Sequence, residues 1–261
     1  MANVVYDNFV LENKIEDLLT TGVDLNSYVT ADNSLTENAG MQKTIHTYTS
    51  TGNVEDLAQG EGNTGDIEVN FESVDYTVGT TQGRFSYFDE EVMKDPMVVE
   101  VGLKGLSERM VNDFTAKAIA EFAKGTQKVQ NVTWTFDNFV DGIAKFNSES
   151  EAGIFCLVSV DDKAKIRKAL KDDLKYSEDY VRSGYIGTVA GVPVIVSKAV
   201  PAGKGYMATK EAVTVFLKKG MEIEQERDAN IRKNVIYARK VALVAKTDDT
   251  KIVVMDEGAG A

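Results

Sequence analysis

Ile154-Phe-Cys-Leu-Val-Ser-Val160, read together with Val192-Pro-Val-Ile-Val-Ser197, decides the fold. Each is a short, unbroken apolar run bounded by turn residues, the pattern of a strand buried on both faces. Asp161 or Asp162 is placed to cap a helix between them, carrying Ala164, Ile166, Ala169 and Leu170 among lysines. Gly184-Tyr-Ile-Gly187 and Val189-Ala-Gly191 mark turns. Pro193 falls near the start of its strand, where a missing ladder donor matters least. Further strand-like runs follow at Tyr206–Ala208, Val213–Leu217, Glu222–Glu226, Val235–Ala238, Val241–Ala245 and Ile252–Met255, the last two joined by a turn at Thr247-Asp-Asp-Thr250. From Glu151 to Met255 the chain therefore reads as a compact α/β body.

Upstream the pattern changes. In residues 1–40, Phe9, Leu11, Ile15, Leu18 and Leu19 could form a short amphipathic helix, ended by Thr20-Thr-Gly22; the remainder is polar and turn-rich. Such a segment is a poor domain but a plausible arm, ordered only against something else. Residues 41–91 read as β. Ile67, Val69 and Phe71 alternate with Glu68, Asn70 and Glu72; at Ser73-Val74 the phase slips to Val74, Tyr76 and Val78, suggesting a bulge or bend. Gly79 to Gly83 reads as a turn before Phe85 and Tyr87. The result is a long hairpin, marginal in water unless a partner covers it. Asp95-Pro96 then opens a helix whose apolar stripe is Val99, Leu103, Leu106, Met110, Phe114, Ala118 and Phe122. Gly102 and Gly105 weaken its first third. A second helix, Thr135 to Phe146, has Thr135 as N-cap and buries Phe136, Phe139, Val140, Ile143 and Phe146. Asn147–Gly153 is a polar connector.

The chain has 261 residues and a net charge of −12, unevenly spread. Residues 1–93 carry 17 acids against Lys14, Lys43 and Arg84, a balance of −14; the remainder carries 26 bases against 24 acids. An acidic front third repels phosphate, so it does not seek nucleic acid on its own, but it could dock on a neighbouring copy. The single cysteine, Cys156, excludes an internal disulfide and sits in an apolar run, as an inert buried thiol does. No run is long enough to span a bilayer as a helix. Met1-Ala-Asn-Val-Val-Tyr-Asp7 has neither the basic nor the long apolar region of a secretory signal, so a cytoplasmic origin is expected.

Motifs for chemistry are weak. Gly60-x-Gly62-x-x-Gly65 matches the dinucleotide fingerprint literally, but a β segment follows where a helix N-terminus is required. Pro201-Ala-Gly-Lys-Gly205 lacks the first glycine and the hydroxyl residue of a phosphate-binding loop. His46 is the only histidine and has no catalytic or metal partners at suitable spacing. Asp89-Glu90-Glu91 and Asp248-Asp249 read as solvated turn carboxylates. Glu222, Glu224 and Glu226 share one strand face and call for Arg227, Arg232 or Arg239 opposite, on a neighbouring strand or subunit. Trp134 reads as a core or interface anchor. No catalytic, cofactor or metal site is expected.

Gly187-Thr-Val-Ala-Gly-Val-Pro-Val-Ile-Val-Ser-Lys198 resembles the segment G…(I/L)-x-G-x-P-V-x-x-S of tailed-phage major capsid proteins with the Hong Kong 97 fold. Tyr206-Met-Ala-Thr-Lys-Glu-Ala-Val213 resembles their strand and short helix, and the later strands follow in the family's order. The acidic stretch Asp89–Asp95 resembles the junction of extended loop and spine helix. The resemblance implies an α+β architecture in four parts: an N-terminal arm (1–40), an extended β loop (41–93), a peripheral domain with the spine helix (94–150 and 233–261) and an axial α/β domain (151–232). It implies a non-enzymatic subunit of a bacteriophage icosahedral capsid, assembled in the host bacterial cytoplasm. Hexamers and pentamers would enclose packaged double-stranded DNA without sequence-specific binding.

Expected partners are other copies of the chain, a portal and, because the capsid-like part begins almost at Met1, a separate scaffolding protein, unless the shell assembles without one. Glu61, Asp66, Glu68, Glu72, Arg84, Glu224, Arg227 and Arg232 are the expected inter-subunit contacts, and Gly102 with Gly105 the expected flex point of the spine helix. Between Thr44 and Met93 there is no lysine, so the loop-lysine crosslink of some relatives is not expected. The same fold serves encapsulin-like bacterial nanocompartment shells, the alternative reading.

Overall fold

The computed structural model describes residues 28–36, 40–170 and 187–258. Its centre is β6 (Phe155–Val158), every residue of which is buried. β6 pairs parallel with β8 (Val192–Val196) and antiparallel with β9 (Lys204–Ala208). The sheet grows outward to six strands in the order β5-β12-β9-β6-β8-β7, where β5 is Gln127–Gln130, β7 Thr188–Val189 and β12 Ile252–Asp256. Alternation along these strands divides the core in two. Cys156, Val158, Met207, Val253 and Met255 face Trp134, Phe139 and Ile166. Phe155, Leu157, Tyr206, Ile252 and Val254 face the opposite way, onto Ala118, Ile119 and Phe122.

Two short helices cover the first face. In α3 (Phe136–Lys145), the Asn138 side-chain oxygen accepts from the Thr135 N–H and hydroxyl, at 3.4 and 3.0 Å, closing the N-terminus at the expected cap. In α4 (Val160–Ala169) the cap is Ser159, whose hydroxyl accepts from the Asp162 N–H at 3.1 Å, and not Asp161 or Asp162. A serine ending a strand supplies the same acceptor one turn earlier. Asp162 is fully buried: its carboxylate accepts from the Ser159 hydroxyl (2.6 Å) and the Gly203 N–H (2.8 Å), and pairs with Lys165 (3.2 Å).

A second, four-stranded sheet has the order β1-β10-β11-β4. It comprises β1 (Thr30–Asp32), β4 (Gly79–Phe88), β10 (Val213–Asp228) and β11 (Lys233–Lys246). The four strand-like runs at Val213–Leu217, Glu222–Glu226, Val235–Ala238 and Val241–Ala245 belong to just two strands, β10 and β11. They are continuous, and β10 carries register shifts between Leu217 and Glu222 that explain its broken pattern. Gly79 to Gly83 is not a turn but the first half of β4, paired residue for residue with β11.

The long helix α2 (Met97–Phe122, 26 residues) joins the sheets. Val99, Leu103, Leu106 and Met110, in its first half, pack on Ile223, Ile236 and Ala238 of the four-stranded sheet. Ala118, Ile119 and Phe122, in its second half, pack under the six-stranded one. At 1.5 Å per residue it spans about 40 Å, enough to serve as a common spine. Before it, Asp89–Lys94 forms a short helix, α1, whose Glu91 accepts from the Phe88 N–H at 2.9 Å.

Sheet membership does not follow the boundary expected at 232/233. β12 lies beside β9 in the six-stranded sheet, whereas β10 pairs with β11. The expected arm helix at Phe9–Leu19 and the turn at Gly184–Gly187 fall wholly or mostly outside the described residues.

Candidate functional site

β2 (Gln42–Thr51) and β3 (Glu68–Thr77) form a separate two-stranded ribbon. Its pairing runs unbroken from Gln42↔Thr77 to Thr51↔Glu68, so the bulge expected at Ser73-Val74 is absent. The phase slip is a change of the apolar face, not of the backbone. At the base of the ribbon, Ile45 and Tyr76 pack on Leu35, Val78, Phe216, Leu243 and Ala245. There the Lys43 ammonium lies 5.2 Å from the Phe216 ring centroid, and the Thr44 hydroxyl donates to Asp75 at 2.6 Å. From His46 to Ser73, the ribbon and its tip loop are almost wholly exposed.

Local hydrogen bonds order the tip loop. Glu55 accepts from the Thr64 hydroxyl (2.6 Å) and N–H (2.8 Å), which together hold its carboxyl below the usual glutamate range. Glu61, Asp66, Glu68 and Glu72 are exposed on this loop and on β3, and none makes an ion pair among the described residues. They form an acidic projection that makes no ion pair with the described body. Arg84 is exposed on β4, opposite Tyr237.

The other expected contacts have partners within the chain. Glu224 and Glu222 both receive Arg239, at 3.2 and 2.8 Å, across the β10–β11 ladder. Hydrogen bonds from Lys219 and Arg239 hold Glu222 below its ordinary range. Arg227 pairs with Asp89 at 2.9 Å and Arg232 with Glu90 at 2.7 Å. Asn234, which is buried, donates to the other Asp89 oxygen at 2.6 Å, and the Asp89 N–H donates to the Arg232 carbonyl at 3.0 Å. The tip of the β10–β11 hairpin is thus clipped to the start of α1. The roles of Asp89 and Asn234 escaped sequence reading because their partners lie far away in the chain.

Gly102 and Gly105 differ sharply. A Cβ on Gly102 would lie 2.2 Å from the Phe85 ring, and one on Gly83 would lie 2.3 Å from Leu106. These two glycines let α2 and β4 approach closely. Gly105 faces open space, and α2 runs through both positions without interruption.

Among the described residues no group of acids, histidine or cysteine is arranged to hold a metal ion. Cys156 is buried, and burial pushes its thiol up, away from the reactive thiolate. Trp134 is fully buried in the core. The Gly60–Gly65 stretch is irregular loop. The hollow beside Gln82, Glu222, Glu224, Tyr237 and Arg239 is lined by charges already paired with one another.

A spine helix shared by two sheets, with a β ribbon projecting from the body, defines a shell subunit of the Hong Kong 97-like class. The PhiM1 bacteriophage mature capsid superposes with a TM-score of 0.70 at 11% identity, over 89% of this chain and 86% of that one. A virus-like particle from Pyrococcus furiosus gives 0.66 at 12% identity, over 94% and 97%. The family model described as "Phage capsid protein" matches residues 71–255, and the chain belongs to that family. The "Major capsid protein" of Staphylococcus phage phiMR11 is 23% identical over 244 residues, covering 90% of this chain and 87% of that protein. The protein is therefore a structural component of the virion and not an enzyme.

Proposed function

We propose that this chain is the major subunit of a tailed-phage icosahedral shell, associating with itself in hexamers and pentamers around packaged double-stranded DNA. The observation that carries the reading is the ribbon from His46 to Ser73, which leaves the body with apolar and acidic side chains alike uncovered. A ribbon of two strands is marginal alone, and it gains stability by lying across another subunit. Arm (1–40), extended β loop (41–93), spine-bearing peripheral part (94–150 and 233–261) and axial part (151–232) are the functional divisions in this reading; within the loop, β2 and β3 project while β4 pairs with β11. Portal and scaffolding protein are the further partners it implies. In this reading the DNA is enclosed without sequence-specific binding, and the acidic front third is the part least suited to touch it, because it repels phosphate. Glu61, Asp66, Glu68, Glu72 and Arg84 are the inter-subunit contacts it favours; Glu224, Arg227 and Arg232 contribute through the hairpins they brace. Negative-stain microscopy of the purified protein, alone and co-expressed with its neighbouring genes, is expected to show capsomers or closed shells; a monodisperse monomer in both preparations refutes the proposal.

Nucleic acid is the expected content of purified particles; a protein cargo in its place would count against the phage reading.

A further inference from the structure

Because β2 and β3 pair without a bulge, their side chains alternate strictly between two faces. Near the body, Ile45, Val74 and Tyr76 share one face, and Ile45 and Tyr76 rest on the chain's own core. Farther out the apolar residues change sides. His46, Tyr48, Val69 and Phe71 occupy the opposite face, with the three rings 6.1–6.4 Å apart. Behind them stand only Thr47, Thr49, Thr51, Glu68, Asn70 and Glu72. Each half of the ribbon is amphipathic, and the two halves have opposite sense.

In the inner half Ile45 and Tyr76 are covered, and Val74, paired with Ile45 next to the outer half, is 50% exposed. The outer half is bare: Tyr48 is 66% exposed, Val69 63% and Phe71 66%, with the described body in place. A row of this kind marks an interaction surface, and aromatic side chains are favoured at interface centres. We infer that the outer aromatic face, centred on Tyr48 and Phe71, is covered by a second copy of this chain, while the threonine and glutamate face stays in solvent. The occupant is a second copy because the chain belongs to a capsid family and the described body leaves this face bare. A ribbon on one copy meeting a different surface on the next is a heterologous contact, the kind that closes into rings. The inference rests on the self-assembly reading and specifies which face carries it.

The test uses the full chain, with Tyr48→Ser and Phe71→Ser on one face and Thr49→Ser and Asn70→Ser on the other. Sedimentation and microscopy read the assembled fraction, and circular dichroism confirms folding of the unassembled species. Truncating a buried interface aromatic is expected to lower the assembled fraction about tenfold or more, with the polar-face variants unchanged. Oxidative footprinting of wild type is expected to show Tyr48 and Phe71 protected severalfold in assembled particles relative to dissociated subunits. Assembly of the aromatic-face variants at the wild-type level, equal loss from both faces, or unchanged footprints would each overturn the inference while leaving self-assembly intact. A wild-type protein that never associates overturns self-assembly itself, and the inference with it.

Discussion

Two glycines in one helix illustrate how much a single side chain can carry. Gly102 sits where the Phe85 ring occupies the place of its missing Cβ, whereas Gly105 has empty space around it. Gly102→Ala must displace an aromatic ring and is expected to cost about 1–3 kcal/mol, seen as a lower Tm. Gly105→Ala removes only the helix penalty and is expected to stabilise the subunit by up to about 1 kcal/mol. If Gly105 serves as a flex point during shell expansion, that variant expands abnormally even though its subunit is more stable. Normal expansion would remove Gly105 from that role. Asp249 offers a second test. Burial pushes its carboxyl up, but the Lys246 ammonium at 2.5 Å and two hydrogen bonds from Thr126 outweigh that and hold it below the ordinary 3.8. A carboxyl with a depressed folded value stabilises fully above its unfolded value, and the contribution is lost as pH falls through the folded one. Lys246→Met should therefore lower the melting temperature at neutral pH and flatten its fall in acid, so that the gap to wild type narrows as pH drops through the folded value, read from melting temperatures across an acid series.

At the scale of elements, the clip between the β10–β11 hairpin and α1 outweighs its surface appearance. The Arg227 and Arg232 bridges are exposed, and each is worth about 0–1 kcal/mol. Asp89 is different, because it also satisfies the buried Asn234 amide. Asp89→Ala leaves that donor unpaired and is expected to cost about 1–3 kcal/mol, more than Arg227→Ala and Arg232→Ala taken singly. Urea denaturation of the three variants checks the order. The ribbon shows the opposite balance: its outer half contributes little to the lone subunit, so its sequence can answer to a neighbour instead of to the body.

For the whole molecule, the decisive quantity is what remains uncovered. The spine helix and the two sheets bury their own apolar faces, but the ribbon does not. Covalent reinforcement of assembled copies through a loop lysine is not expected, since none exists between Thr44 and Met93. Particles boiled in denaturant should run as a single subunit-sized band on a gel; a ladder of multiples would contradict this.

Much of this was legible in the chain alone, because local periodicity and turn chemistry carry it. The buried runs at Ile154–Val160 and Val192–Val196, the α2 stripe from Val99 to Phe122 and the α3 cap at Thr135 depend on neighbours within a few residues. The ordered set of segments pointed to the family for the same reason. Pairings between distant segments were decided only by the tertiary structure. The phase slip at Ser73-Val74 was visible, but only unbroken pairing with β2 shows that the backbone stays regular and the apolar face changes. The sheet that takes β12, the arginines that Asp89 and Glu222 meet and the ring that fills the space at Gly102 likewise depend on chain segments far away in sequence. Spacing along the chain encodes a residue's own face and its capping groups; which distant surface meets that face is set by packing.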